Sequence, residues 1–181
     1  MQLRENYTHE EQEIDGALIP PHTIYAVVDG GTDKDVAQML FEKKSLGCGW
    51  KGDIEVDVTC PESGQKYLVR FDRPKVVQIR AKVTARVLGS SNVDYQSVVR
   101  QAIMDYAEDK LEGLRGFLVG AAVSPFDMSV AIGMANQSIF VISLDVGFLE
   151  TAINDLKSET TPLDFWQKAE ITPGSIDVVG A

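Results

Sequence analysis

The sequence predicts an α+β fold of two small units, each with helices packed on a small antiparallel or mixed sheet. Three observations predict it. Residues 77–87 alternate strictly between apolar and polar side chains, as a strand with one buried face requires. Two segments with helical spacing, beginning at Thr32 and Asp94, carry capping residues at their starts. Ile54–Val58 and Tyr67–Phe71 flank the turn residues Glu62-Ser63-Gly64 and read as a hairpin. Hydrophobic residues make up 44% of the 181-residue chain, enough to build a core for each unit.

In chain order, residues 1–19 read as an extended or poorly ordered leading segment, closed by Pro20 and Pro21. The first unit then spans 20–73 as a β-α-β-β arrangement. Ile24-Tyr25-Ala26-Val27-Val28 is an apolar run suited to a buried strand. Asp29-Gly30-Gly31 is turn chemistry, and Thr32 caps a helix whose first turn holds Asp33 and Asp35. Val36, Met39, Leu40 and Lys43 share one face; Lys43 and Lys44 fall in the last turn, with Gly47 near the C-cap. Trp50, in the loop Gly47-Cys48-Gly49-Trp50-Lys51-Gly52, is expected to pack on a sheet edge.

Asp72-Arg73-Pro74 marks the hinge to the second unit, 74–181. Its first strand, 77–87, ends at Gly89-Ser90-Ser91-Asn92. Asp94 caps a helix running to about Leu111, with Val99, Ala102, Ile103, Tyr106 and Leu111 inward and Arg100, Asp105, Glu108 and Asp109 toward water. Ser124-Pro125-Phe126-Asp127 starts another helix with a hydroxyl cap, proline at its first position and a carboxylate at its third; it ends near Ala135. Ile139–Val146 is a strand, 150–165 a surface excursion, and Ile176–Val179 an edge strand.

Charge and composition exclude several functions. A net charge of −10 opposes general binding to a polyanion, so no nucleic-acid partner is expected. No apolar run reaches bilayer length, and no apolar stretch follows a basic start at the amino terminus, so neither membrane insertion nor a signal peptide is expected. Cys48 and Cys60 are read as free thiols in a reducing cytoplasm.

The motifs carry little chemistry. Asp29-Gly30-Gly31-Thr32-Asp33-Lys34-Asp35 lacks phosphate-loop spacing, and a phosphate there would meet three carboxylates, so it reads as turn plus cap. The glycines at 47–52 follow a helix instead of opening one, the wrong order for a dinucleotide site. His9, His22, Cys48 and Cys60 match no zinc-binding spacing, and His22 reads as a turn histidine bonded to backbone. No cofactor, metal or catalytic residue is expected. One electrostatic feature remains. Lys66, Arg70, Arg73, Lys75, Arg80, Lys82 and Arg86 face only Asp72 in their window, a local +6 in a chain whose remainder carries −16. These seven are candidate docking residues for an acidic protein surface; the plainer reading is a solvated strand balanced by acidic neighbours.

An ordered series of residues resembles the carboxy-terminal region of phage baseplate J-like proteins. It comprises Glu5-Asn6-Tyr7-Thr8, Ile19-Pro20-Pro21-His22-Thr23-Ile24, Val27-Val28-Asp29-Gly30-Gly31, Val36-Ala37, Lys43-Lys44, Gly47 and Gly52. It continues through Val69-Arg70-Phe71-Asp72-Arg73-Pro74 and ends at Ala169-Glu170-Ile171-Thr172-Pro173-Gly174-Ser175-Ile176-Asp177-Val178. Residues 114–138 fit the pattern less well, and the family's amino-terminal region has no counterpart here, as in an excised fragment or a short member. The resemblance implies a non-enzymatic structural subunit of a contractile phage or prophage tail. It would assemble the baseplate wedge around the tail tube, as a homo-oligomer among other baseplate and tail proteins. It would reside in the virion after assembly in the bacterial host cytoplasm. The alternative is a small cytoplasmic α+β enzyme, with a site near His22 and Asp29, or a binding module using Trp50 or Trp166.

Overall fold

The computed structural model describes residues 1–43, 47–88 and 94–180. The chain divides into two compact units: Met1–Lys75 with Asp164–Trp166, and Val76–Leu163 with the chain from Gln167 onward. Helices and mixed sheets build both, giving the α+β class.

The first unit contains β1 (Gln2–Asn6), β2 (Gln12–Ile14), β3 (Ala17–Ile19), β4 (Thr23–Val27), α1 (Asp33–Lys43), β5 (Gly49–Lys51), β6 (Ile54–Thr59) and β7 (Lys66–Phe71). All five residues of β4 are buried, as its unbroken apolar run dictates for a central strand. β1 pairs with it antiparallel on one side and β5 parallel on the other. The leading segment is extended, one of the two states expected of it, and is built into the unit: Gln2 through Asn6 pair with Val27 through Thr23, and β2 and β3 form a hairpin. Its pattern is faint because β1 is mostly polar and held by the hydrogen bonds that β4 offers along its edge. The glycine-rich stretch after α1 contributes β5, where Ile24 lies opposite Trp50, and Trp50 packs against the core. Three residues are too few to show a strand period.

α1 starts as its cap dictates, with Thr32 Oγ1 accepting from the Asp35 amide at 3.2 Å. Val36, Ala37 and Leu40 are buried, and the helix packs on β6 and β7. Lys43 is its last helical residue, while Lys44 lies outside the described residues. The hairpin expected at 54–71 is present, with Ile54 opposite Phe71 and Thr59 opposite Lys66. Beyond β7, Asp72 N–H donates to Ala26 O and Val28 N–H to Asp72 O, both at 2.9 Å, which joins the hairpin to β4. A Cβ on Gly52 would lie 2.4 Å from the Phe71 carbonyl carbon, so only glycine admits this approach. Asp164–Trp166 completes the unit from far along the chain. Phe165 is buried, edge-on to Tyr25 at 5.3 Å and beneath the Arg4 guanidinium at 4.9 Å.

The second unit contains β8 (Lys75–Val87), α2 (Tyr95–Ala107), α3 (Pro125–Ala135), β9 (Ile139–Phe148) and β10 (Gln167–Gly180), with sheet order β10-β8-β9. Ile79, Ala81, Val83 and Ala85 of β8 are fully buried, as the alternation predicts. They meet Val99 and Ile103 of α2 and Met128 and Ile132 of α3 in one core. α2 packs on β10 and α3 on β9, so both helices cover one face of the sheet. The β8–β9 ladder is antiparallel, with an irregularity at Thr84/Ala85 where Ile142 is the extra residue.

Both helix starts match their caps: Asp94 accepts from Ser97 N–H at 3.3 Å, and Ser124 Oγ from Asp127 N–H at 3.2 Å. α2 ends at Ala107, short of Leu111. There Asp109 takes a left-handed φ of 58°, and its carboxylate accepts the Gly116 amide at 2.8 Å. Arg100, expected to face water, donates from Nε to Ile176 O at 3.2 Å. β10 spans 14 residues, beyond the short edge strand expected at 176–179, and buries Ala169 and Ile171. The break expected at 89–92 lies outside the described residues.

Candidate functional surfaces

The polar residues of the first unit close on its own backbone. Asn6, fully buried, donates from Nδ2 to Glu10 O (2.8 Å), Ile19 O (2.8 Å) and Pro20 O (3.0 Å). Its Oδ1 accepts from Thr8 N–H at 2.9 Å and the Thr8 hydroxyl at 2.7 Å. One amide thus ties β1 to the loop and to the end of β3. Arg73 acts likewise on the Asp29-Gly30-Gly31 turn, donating to the carbonyls of Val28 (3.0 Å), Gly30 (2.6 Å) and Gly31 (2.8 Å) and pairing with Asp33 at 2.6 Å. A phosphate loop turns amide N–H groups toward its ligand. This turn presents carbonyl oxygens to a cation, the opposite polarity.

A cavity of about 310 Å³ opens beside Tyr25, Asp53, Asp72, Lys75 and Trp166. Asp72 is fully engaged there: Oδ2 accepts the Tyr25 hydroxyl and Oδ1 the Asp53 amide, each at 2.6 Å. Burial first, then the hydrogen bond and charge of Asp72, push the Tyr25 phenol well above its ordinary value. The raised value agrees with the geometry, in which the Tyr25 hydroxyl donates to Asp72. Sequence reasoning missed this cluster because Tyr25 and Asp72 lie 47 residues apart.

The structure divides the seven candidate docking residues between the units. Lys66, Arg70, Arg73 and Lys75 belong to the first, and Arg80, Lys82 and Arg86 to the second. Arg70 pairs with Glu55 at 2.6 Å, directly across the hairpin, and Arg73 is held by its turn. Lys66 and Lys75 are exposed. Arg80, Lys82 and Arg86 project from the face of β8 away from the helices, and among the described residues none of them has an ion-pair partner. Arg86 lies 5.1 Å above the Phe140 ring.

His9 and His22 meet, with Nδ1 and Nε2 3.0 Å apart, which corrects the backbone-bonded reading of His22. Their distance in sequence gave no signal of it. Cys48 and Cys60 are free, and Ser63 hydrogen bonds, side chain before backbone, hold the half-buried Cys60 thiol below its ordinary value. Among the described residues, no group of three or more His, Cys, Asp or Glu side chains is placed to hold a metal ion.

The second unit also exposes an apolar face. Phe126, Val130 and Met134 recur every four residues along α3 and are 64%, 50% and 53% exposed. A groove of about 260 Å³ opens beside Phe126, lined also by Ser129, Val141 and Ile142. The sequence carried the signal: α3 reads apolar on nearly every side, too much for a helix with one wet face.

No family model matches the chain, and no curated protein matches it.

Proposed function

We propose that this chain is a structural subunit of a contractile phage or prophage tail baseplate, assembling the wedge around the tail tube. One observation carries the reading. The polar residues of the baseplate-like series, above all Asn6 and Arg73, are spent on the chain's own backbone, where they lock loops and turns. Such residues build a rigid part, and the surfaces left over can join neighbours. Rigid units offering charged and apolar faces suit contacts that must form during assembly and rearrange on firing. The partners are other baseplate and tail proteins, with several copies of the chain in one assembly; the place is the tail of the virion. A binding module, the alternative, would use the cavity beside Tyr25 and Trp166.

The test is direct. Contractile particles purified from the encoding strain should contain the chain by mass spectrometry, and immunogold label should sit at the baseplate end. Particles that contract normally and lack the chain would overturn the proposal.

A further inference from the structure

Two surfaces on this chain are complementary in charge and in apolar content. The first is the helix-free face of β8, where half-buried Lys82 and exposed Arg86 have no ion-pair partner among the described residues. Asp145 lies opposite Lys82 in the ladder but accepts the Ser158 hydroxyl and forms no ion pair with it. Phe140, 48% exposed, lies directly opposite Arg86 and adds an apolar spot to the same face. The second surface is the β2–β3 hairpin. Glu11 and Glu13 are exposed and likewise unpaired, and Leu18, 52% exposed, lies directly across from Glu13.

Several acids elsewhere are paired: Asp15 with Arg4, Asp33 with Arg73, Glu55 with Arg70 and Glu108 with Lys110. Glu11 and Glu13 are among the described carboxylates without an ion pair, and Lys82 and Arg86 among the described cations without one. Each surface thus sets charges beside one exposed apolar side chain.

We infer that the acidic β2–β3 hairpin of one copy docks on the basic face of β8 in a second copy. The two surfaces differ, so the contact is head-to-tail. Repeated, it closes a ring or extends a filament instead of stopping at a dimer. The inference rests on the charge placement and stands apart from the baseplate proposal.

Sedimentation of the full chain over a concentration series tests it. Self-association should be present at about 0.1 M salt and lost at about 1 M, where the screening length falls from about 10 Å to about 3 Å. The double variants Lys82→Glu/Arg86→Glu and Glu11→Lys/Glu13→Lys should each associate roughly tenfold more weakly or worse. An equimolar mixture of the two should associate again, because each then carries the charge that the other needs. Circular dichroism checks that both variants are folded. A wild-type chain that stays monomeric throughout, association indifferent to salt, or a mixture no better than its components would each overturn the inference. None of these outcomes alters whether the chain is found in contractile particles.

Discussion

At Asn6 a single buried side chain has three carbonyls within reach of its two N–H groups and accepts from two donors. Asn6→Asp keeps the shape but replaces the donor with a carboxylate facing three oxygens. It should cost about 2–4 kcal/mol at neutral pH. Burial raises the introduced acid's pKa in the folded state above its unfolded value, so the folded variant binds more protons. Its deficit should therefore shrink as pH falls and grow as pH rises through the folded pKa. Urea unfolding at several pH values measures this. Arg73 uses the planar fork of its guanidinium on three carbonyls and one carboxylate. A lysine ammonium cannot span that set, so Arg73→Lys should destabilise the first unit by about 1–2 kcal/mol in the same assay. Neither role is visible in the sequence. An asparagine in a polar leader and an arginine before proline carry no pattern, because their partners are brought by the fold.

Elements that repeat a period over ten or more residues were legible. β8 announces itself by alternation, and the starts of α2 and α3 by their caps. Elements whose existence depends on a distant partner were not. β5 exists because β4 has a free edge, and β1 pairs with the other edge of the same strand. β10 was read only at its most apolar end. The cap of α2 yields a prediction. Hydrogen bonds from Ser97, its side chain first, hold the Asp94 carboxyl below its ordinary value. A depressed acid stabilises the fold fully above its unfolded pKa, about 3.9. The contribution is lost as pH falls through the lower folded value. Amide protection in the first turn of α2 should fall over that window in the wild-type chain. In Asp94→Asn, which caps without titrating, that loss should be absent. Hydrogen exchange followed by NMR reads both.

For the molecule as a whole, the sequence reading gave two α+β units and a hinge near residue 73, yet missed that the first unit also takes in Asp164–Trp166. A three-residue return has no period, and Phe165 looks like any loop aromatic until Tyr25 and Arg4 are beside it. Removing this ring should matter although it lies some ninety residues from the rest of its unit. Phe165→Ala should lower the stability of the first unit by about 3–4 kcal/mol. Both tryptophans, Trp50 and Trp166, belong to that unit. Fluorescence therefore follows its unfolding alone, and the midpoint should move by that channel while the second unit's share of the far-ultraviolet dichroism holds.

That return also sets an order for biosynthesis. Residues 1–75 leave the ribosome well before their aromatic seal, Phe165, which follows some ninety residues later. Those residues must wait, unsealed, until the intervening chain of the second unit has been made. Residues 1–75 are thus long exposed on the nascent chain, and products stalled before Phe165 are where proteases and chaperones should find them open.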